Sequence, residues 1–233
     1  MSIEAAERAA STIDGFVSVA EGRRLYELAA AAPGPIVEVG SWKGRSTIWL
    51  AYGARDGHRG KVYAVDPHSG SQDHDEKGEA STLVEFGLNL HRAGVEDAVV
   101  PVVMSSLEAR KHVPCPIGLL FLDGPSEEML VRDEIARWLP SLREGAAIAI
   151  HDTVSSHGPR EAAEHLYLSS RFVDVRQVES ITYATVVSRA PIQGKLTDLS
   201  RLLARRAEII LGRINYPAPV RKLGRKVLSA MSK

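Results

Sequence analysis

The chain has 233 residues and a mass of 25.3 kDa, with 44% hydrophobic and 25% charged residues, which is ordinary for a soluble globular protein. This length predicts one domain with an appendage. The single cysteine, Cys115, excludes a disulfide framework and a cysteine-rich zinc site, and it favours the reducing cytoplasm. The N-terminus lacks the apolar run of a signal peptide, and no apolar run approaches the ~20 residues of a membrane span. We therefore expect a cytoplasmic protein without a membrane span.

The net charge of zero hides an uneven distribution of charge. Residues 191–233 contain ten lysines and arginines but two acidic residues, so residues 1–190 carry the matching negative excess. An acidic body argues against a nucleic acid partner. In the tail, apolar residues recur at helical spacing from Leu196 to Ile210 and from Val220 to Met231, which predicts a basic amphipathic helical tail. This tail can contact a membrane surface or an anionic substrate, but the charge difference favours docking on the acidic body or on a second subunit.

Short apolar runs alternate with helical patterns along the chain, and Pro33-Gly34-Pro35 ends the second helical pattern. The predicted helices are 3–13, 19–32, 46–53, 80–93, 107–111, 127–142 and 159–169. The predicted strands are 36–39, 61–66, 99–103, 118–123, 146–152, 172–178 and 182–188. The polar stretch 69–78 is either a lid over a substrate or a solvated loop.

Five strands that alternate with helices predict a doubly wound, parallel α/β sheet. The last two strands are too close in sequence for a helical crossover between them, so they must pair antiparallel. The sequence therefore predicts a mostly parallel, seven-stranded sheet that ends in an antiparallel strand.

The first chemical motif follows the first strand and reads VEVGSWKGRST over residues 37–47. An acidic residue, Glu38, lies near the strand end, and Gly40 and Gly44 bracket a tight turn into a helix. Glycine lets the backbone approach a ligand that a Cβ atom would exclude. The G-x-x-x-G spacing differs from the G-x-G-x-x-G of dinucleotide-binding folds. The alternative interpretation is a simple turn between a strand and a helix.

Acidic and hydroxyl side chains end the next two strands. Asp66 lies 22 residues after Gly44, where its carboxylate can accept hydrogen bonds from both ribose hydroxyls of an adenosine, although this position also suits NAD. Ser105 and Ser106 follow the third strand, beside the adenine end of such a site. They can bind the base, but N-capping of the next helix explains them equally well.

Together these motifs resemble those that bind S-adenosylmethionine (SAM) in class I methyltransferases, over about residues 20–190. The run from Pro35 to Trp49 is similar to a subgroup that includes macrocin-type sugar O-methyltransferases and cephalosporin-hydroxylase-like proteins. The Ala- and Arg-rich sequence also resembles actinobacterial methylmannose polysaccharide O-methyltransferases. The resemblance implies a Rossmann-like SAM-binding domain over 35–190, N-terminal helices over 1–34 that cover the acceptor site, and a homodimer, with 191–233 as the tail.

The resemblance also implies roles for single residues. Glu38 would lie near the methionine amino group of SAM, Gly40 and Ser41 would line the loop beneath it, and Asp66 would bind the ribose. The other candidate cofactor-binding residues are Ser46, Ser105, Ser106 and Asp123.

Two carboxylates end neighbouring strands of the predicted sheet, Asp123 after the fourth strand and Asp152 after the fifth. Since neighbouring parallel strands lie about 4.8 Å apart, these side chains should meet at the carboxyl edge of the sheet. Facing carboxylates repel unless a cation lies between them, and oxygen ligands suit Mg²⁺ or a similar divalent metal. The metal site of the related subgroup has this layout. A carboxylate pair with a purely structural role is the alternative.

Histidines supply the candidate bases. His151 precedes Asp152 and, if the chain turns there, can act as the catalytic base or as a third metal ligand; packing against a helix is the alternative. His157 is the second candidate, followed by His68 and His74. Two positions depart from the catechol-type enzymes: Ser126 replaces their lysine and Thr153 their metal-binding asparagine. These departures leave the base and the strength of metal binding open.

The predicted function is SAM-dependent, Mg²⁺-assisted methyl transfer to a hydroxyl of a sugar or polysaccharide acceptor. The metal would lower the pKa of the hydroxyl and fix its oxygen in line with the methyl group. A small catechol-like or antibiotic acceptor and a non-catalytic SAM-binding scaffold are the alternatives. An NAD-dependent oxidoreductase would need tighter glycine spacing and no paired acids at the strand ends.

Overall fold

The fold is built on a seven-stranded β-sheet in a computed structural model that describes residues 2–58, 60–69, 82–124 and 128–213. The strands are β1 (Ile36–Val39), β2 (Val62–Val65), β3 (Val99–Val102), β4 (Ile117–Leu122), β5 (Leu142–Ile150), β6 (Phe172–Val178) and β7 (Ile181–Val186). The helices are α1 (Ile3–Ala10), α2 (Val19–Ala31), α3 (Arg45–Asp56), α4 (Leu83–Arg92), α5 (Ser106–Ala109), α6 (Glu128–Trp138), α7 (His157–Leu168) and α8 (Ile192–Arg213).

The strand order is β3-β2-β1-β4-β5-β7-β6. Strands β1 to β5 are parallel, and β7 runs antiparallel to both β5 and β6. The predicted fold class is therefore confirmed, including the antiparallel last strand. Because β7 is antiparallel to both of its neighbours, β6 runs parallel to β5 and ends at the same edge of the sheet. That carboxyl edge is where ligands bind in open α/β folds.

Two apolar layers cover the sheet. On one face, α1 to α4 pack over a cluster that includes Leu25, Trp49 and Phe86. On the other face, α5 to α8 pack over a cluster that includes Trp138 and Leu202. Both faces of the central strands are buried, as the continuous apolar runs of a parallel sheet require. The sheet is therefore a rigid support for the loops at its carboxyl edge.

Two helix ends differ from the prediction for local reasons. The helix predicted to reach residue 142 ends at Trp138, and a short 3₁₀ turn covers Leu139–Ser141. Pro140 lacks the N–H that would continue the helix. The first helix ends at Ala10 because the hydroxyls of Ser11 and Thr12 donate to carbonyls of the last turn.

The first part of the basic tail packs against the body of the protein. Helix α8 buries Leu202 and Ala204, and its Asp198 carboxylate accepts a hydrogen bond of 3.0 Å from the backbone N–H of Val175. Arg206 forms an ion pair with Glu164 of α7. The second predicted tail pattern, 220–231, and most of the predicted lid, 70–78, lie outside the described residues. Within the described part of the chain, no helix is long and apolar enough to cross a membrane.

Candidate active site

The turn after β1 brings the backbone of two strands into close contact. Gly40 has a left-handed φ of 90°, and a Cβ atom there would lie 2.0 Å from the carbonyl oxygen of Asp123 after β4. Gly44, with φ of 92°, occupies the N-cap of α3, and a Cβ atom there would lie 3.1 Å from the Phe86 ring. Both positions favour glycine because of their backbone conformation and the atoms packed beside them, and contact of this turn with a ligand stays a prediction.

Asp66 fastens this turn to the end of β2. Its Oδ2 accepts hydrogen bonds from the backbone N–H groups of Ser41 (3.0 Å) and Trp42 (2.8 Å). Its Oδ1 accepts from the N–H of His68 at 2.7 Å. Each carboxylate oxygen has two lone pairs, so acceptor capacity remains for a ligand. Ribose binding by Asp66 stays a prediction, and the contacts assign it a role in shaping the loop.

Glu38 is a fully buried carboxyl group between β1 and α3. Burial raises its pKa to about 8, even though the nearby hydroxyls of Ser46 and Thr47 act in the opposite direction. Thr47 donates to Oε2 at 2.5 Å, whereas Oε1 has no hydrogen-bond partner among the described residues. A buried carboxyl oxygen without a donor marks a place where a ligand can supply one.

Ser105 and Ser106 have local partners. Ser105 is the N-cap of α5, where its hydroxyl accepts from the Glu108 N–H and donates to the Glu108 carboxylate at 2.7 Å. The Ser106 hydroxyl donates to Glu134 and accepts from the Trp138 indole N–H at 2.8 Å. N-capping, the alternative raised from the sequence, therefore accounts for Ser105. Contact of either serine with a cofactor stays a prediction.

The ends of β4 and β5 bring the three predicted reaction-site residues together. Leu122 pairs with Ile150 in the sheet, which places Asp123 beside His151. His151 Nδ1 lies 2.8 Å from Asp123 Oδ1 and 3.9 Å from Asp152 Oδ1. Asp152 has a left-handed φ of 57°, so the chain does turn directly after the strand. His151 is 2% exposed at its side chain, against 26% for Asp123 and 47% for Asp152.

Sequence reasoning missed Glu21, which reaches this cluster from α2. Its Oε2 lies 3.6 Å from His151 Nε2, and its Oε1 accepts hydrogen bonds from the N–H (2.8 Å) and hydroxyl (2.6 Å) of Ser180. Glu21 also closes a capping box with Ser18 at the start of α2. The Ser-x-x-Glu spacing signals that box in the sequence. The contacts of Glu21 with His151 and Ser180 have no signal in the local sequence, because these residues are distant along the chain. Ser180 lies 159 residues away.

The electrostatics of the cluster follow from these contacts. Burial alone would raise the pKa of Glu21, but the nearby imidazole of His151 and hydrogen bonds from Ser180 and Ser18 lower this pKa to about 2. Burial alone would lower the pKa of His151, but the hydrogen bond to Asp123 and the nearby carboxylates of Glu21 and Asp152 raise this pKa to about 10. The histidine is therefore held as a cation between carboxylates.

A cleft with about 400 Å³ of empty space opens beside the cluster. Asp123, His151 and Asp152 line it, with Glu134 from α6 and Pro159 from α7 on the far side. Hydroxyl or carboxyl groups of a bound molecule would meet the two aspartates here. The Gly40 turn is next to this cleft, because the backbone of Gly40 packs against that of Asp123, which lines the cleft.

The residues around Asp123 and Asp152 do not complete a metal site. No group of three His, Cys, Asp or Glu side chains with metal-binding geometry occurs in the part of the chain that the structure describes. The Thr153 hydroxyl faces away, toward the Ser180 carbonyl and the Thr182 hydroxyl, each at 2.8 Å. His151 Nδ1 lies 2.8 Å from Asp123 Oδ1, so the imidazole already engages one of the two carboxylates.

The remaining candidate histidines are separate from this cluster. His68 is buried with its Nδ1 2.8 Å from the Thr82 hydroxyl, and its ring packs on Phe86. His157 is exposed at the start of α7. His74 and Ser126 lie outside the described residues.

Comparison with known proteins defines the family to which this chain belongs. The family model described as "Methyltransferase domain" matches residues 37–153, from β1 through the Asp152 turn. This match covers half of the chain, and the chain therefore belongs to the methyltransferase domain family. The predicted class of protein is confirmed at this level.

Individual relatives place the chain beside O-methyltransferases. A catechol O-methyltransferase of Mycobacterium tuberculosis is 32% identical over 145 residues, which cover 61% of this chain and 59% of that protein. The O-methyltransferase TomG of Streptomyces achromogenes, solved with SAM, is 21% identical with a TM-score of 0.59, covering 79% of this chain and 90% of its own. An O-methyltransferase of Bacillus cereus, solved with S-adenosylhomocysteine (SAH), is 20% identical with a TM-score of 0.55, covering 78% and 90%. At these identities the two solved structures show the fold alone.

Proposed function

We propose that the protein is a SAM-dependent O-methyltransferase that acts on a hydroxyl group. The family match and the relatives that are O-methyltransferases support this activity. The observation that carries the proposal is the partnerless Oε1 of buried Glu38, next to a turn in which Gly40 leaves no room for a Cβ atom. An amino group of a bound cofactor would supply the missing donor.

The residues of the Gly40 turn fit the amino acid part of SAM. Besides Glu38 Oε1, the buried Ser41 hydroxyl also lacks a hydrogen-bond partner among the described residues. A cationic amino group beside Glu38 would favour its ionised form over the neutral one. When bound, SAM supplies a methyl group on a positively charged sulfur. Glu38 and Ser41 would hold the cofactor while Asp66, fixed by the loop N–H groups, would accept from the ribose.

The carboxylates of Asp123 and Asp152 are the groups that an acceptor can touch, because both line the cleft and are partly exposed. One of them would accept the proton of the acceptor hydroxyl as its oxygen attacks the methyl group. His151 is almost fully buried behind Asp123. We therefore assign the predicted catalytic role of His151 to positioning: it fixes the Asp123 carboxylate through the Nδ1 contact.

The Mg²⁺ prediction finds no support in the donor set, and no step of the proposal uses a metal. Asp123 accepts from His151, Thr153 faces away, and no third ligand accompanies the two aspartates among the described residues. A divalent metal here would have to use the lone pairs of Asp123 that His151 does not occupy, together with Asp152. Turnover in EDTA compared with turnover in Mg²⁺ measures this directly.

The acceptor class is proposed from the relatives and from the sequence resemblance. A sugar or polysaccharide hydroxyl remains the prediction from the sequence subgroup. A small aromatic or antibiotic acceptor is the second candidate, since one relative is a catechol O-methyltransferase and TomG is involved in tomaymycin synthesis. A homodimer and a cytoplasmic location also stay predictions.

The decisive experiment combines SAH calorimetry with a methyl-transfer assay over both acceptor classes. Wild-type protein should bind SAH in the micromolar range. Asp152→Asn should retain SAH affinity and lose at least about a hundredfold in turnover, as expected when the group that accepts the proton is removed. Absence of SAH binding by the wild type would overturn the proposal. Full turnover of Asp152→Asn would show that Asp152 is not the group that accepts the proton, and would leave Asp123 in that role.

A further inference from the structure

A second, larger cleft lies beyond the end of the β6–β7 hairpin, with about 1720 Å³ of empty space. It is bounded by α2, α7 and α8 and by the two strands of the hairpin. Five arginines line it, two from α8, one from α2, one from α7 and one from β6: Arg24, Arg160, Arg176, Arg201 and Arg205. Glu179 is the single acidic residue among its described lining residues, and this carboxylate accepts from the Ser18 hydroxyl.

Three of these arginines carry buried N–H groups that no acceptor satisfies among the described residues. They are the Nε of Arg24, the Nε of Arg201 and the Nη1 of Arg205. Arg205 is only 9% exposed. Buried guanidinium donors are costly to leave without acceptors, so an unsatisfied cluster of them in one cleft requires an explanation. An anionic ligand would provide the missing acceptors.

The arginines are held in place by contacts made with their other atoms. Arg205 Nη2 donates to the Thr153 carbonyl at 2.5 Å, and Arg201 Nη1 lies 3.1 Å from Asp174. Arg24 packs on the Tyr183 ring with its guanidinium carbon 5.1 Å from the ring centre. The side chain of Arg160 makes no hydrogen bond or ion pair within the described ranges. A set of pre-positioned guanidinium groups is the usual means of binding phosphate oxygens.

The cleft adjoins the candidate active site along two segments. Thr153, which accepts from Arg205, directly follows Asp152. On α7, Pro159 lines the reaction cleft and Arg160 the arginine-lined cleft. Because β6 and β5 end at the same edge of the sheet, both clefts open at that edge. A molecule bound by the arginines could therefore present a hydroxyl to Asp152.

We propose that the arginine-lined cleft binds a phosphate or diphosphate group carried by the methyl acceptor. The identification of the ligand as a methyl acceptor rests on the proposed methyltransferase activity. Binding of an anion in this cleft can be tested without measuring turnover. Three of the five arginines form ion pairs with carboxylates of the protein, Arg24 with Glu27 and both Arg176 and Arg201 with Asp174. Arg160 and Arg205 therefore supply the charge that remains for a ligand, and a multiply charged phosphate can bind both of them. The acceptor class is then a phosphorylated hydroxyl compound.

The test is calorimetric titration of inorganic pyrophosphate into SAH-loaded protein at constant ionic strength. We expect saturable binding that leaves SAH bound. Arg160→Gln should weaken pyrophosphate binding about tenfold, the usual effect of losing one hydrogen bond to a charged group. Arg206→Gln is the matched control, because Arg206 lies on α8 outside the lining set and pairs with Glu164 of α7. Arg205→Gln should weaken pyrophosphate binding more than Arg160→Gln does. If Arg205→Gln does not fold, the result for Arg160→Gln decides whether the arginines bind the anion.

Several outcomes would overturn the proposal. These are no saturable binding of pyrophosphate by the wild type, equal loss in Arg160→Gln and Arg206→Gln, displacement of SAH by pyrophosphate, and tighter binding of succinate than of pyrophosphate. Failure of the proposed methyltransferase activity is distinguishable, because it would appear as absent SAH binding while pyrophosphate binding persists. Retained SAH affinity in Arg160→Gln would show that the variant is folded.

Discussion

The two halves of the carboxyl edge hold their charged groups in different ways. In the β1–β3 half, Asp66 and Glu38 receive hydrogen bonds from backbone N–H groups and hydroxyls of the same β–α–β unit, at most 25 residues away. In the β4–β7 half, charged side chains from remote segments hold one another, with Glu21 facing both His151 and Ser180. The first arrangement is a local motif and the second is a product of the tertiary fold. Variants that affect one half and spare the other test this difference.

Glu21→Gln should have the largest effect on stability. The substitution leaves His151 buried with a single carboxylate partner at short distance, and breaking a buried ion pair costs about 3 kcal/mol or more. Urea unfolding at pH 7 measures the loss. The matched control is Glu27→Gln on the same helix, where an exposed ion pair should contribute at most about 0.5 kcal/mol. Equal effects of the two substitutions would show that the cluster is not coupled.

The pH dependence of stability gives the same comparison a second readout. With a folded pKa of about 2 against 4.5, Glu21 contributes stability above about pH 4.5 that is lost as the pH falls toward 2. With a folded pKa of about 10 against 6.5, His151 contributes stability below about pH 6.5 that is lost as the pH rises toward 10. Glu21 and His151 thus stabilise the fold most between about pH 4.5 and pH 6.5, the ordinary pKa values of the two groups. The unfolding free energy of Glu21→Gln should vary less with pH than that of the wild type, both below pH 4.5 and above pH 6.5.

Gly40→Ala should be the most damaging change in the β1–β3 half. Its Cβ atom would meet the Asp123 carbonyl at 2.0 Å in a left-handed backbone conformation. Overpacking together with the conformational cost predicts a loss of about 2–3 kcal/mol and of measurable SAH binding. Unfolding and calorimetry check both. Gly87→Ala on α4, with nothing within 4 Å, should instead gain about 0.5–1 kcal/mol. Tolerance of Gly40→Ala would contradict the close approach.

The same contrast explains what the sequence could predict. Alternating apolar runs, the glycine turn and the strand-end acids are local patterns, and they predicted all seven strands with Asp123 and Asp152 after neighbouring strands. The contact of Asp123 with His151 was not predicted. The local sequence around Glu21 predicts a helix cap. Its contacts with His151 and Ser180 depend on how α2 packs against the sheet. The lining arginines are spread from residue 24 to residue 205, so no spacing rule could group them.

Binding of SAH should become tighter as the pH rises toward 8. Burial raises the pKa of Glu38 to about 8, so this group is protonated in the free protein at neutral pH. A cationic amino group beside it favours the carboxylate, so binding releases a proton and affinity rises with pH. We expect about a tenfold gain between pH 6.5 and pH 8, where one pKa unit corresponds to 1.36 kcal/mol. Calorimetry across this range measures the gain.

Glu38→Gln is the control for this linkage. The amide has nearly the same size and no titration, so the affinity of this variant should be weak and flat from pH 6.5 to 8. A wild-type profile that is also flat would show that Glu38 does not face the amino group. That result would leave Asp66 as the principal charged contact in the β1–β3 half.

Ser105→Ala should have the smallest effect and separates two roles of one residue. The hydroxyl already accepts from the Glu108 N–H and donates to its carboxylate, so capping uses its donor and one acceptor site. Loss of an N-cap predicts about 1 kcal/mol of lost stability. We expect SAH affinity to change less than about twofold, because a hydroxyl occupied by its own helix has little left to offer the adenine. A loss of affinity of about tenfold would instead establish Ser105 as a cofactor contact, and the local contacts of the β1–β3 half would then serve ligand and fold together.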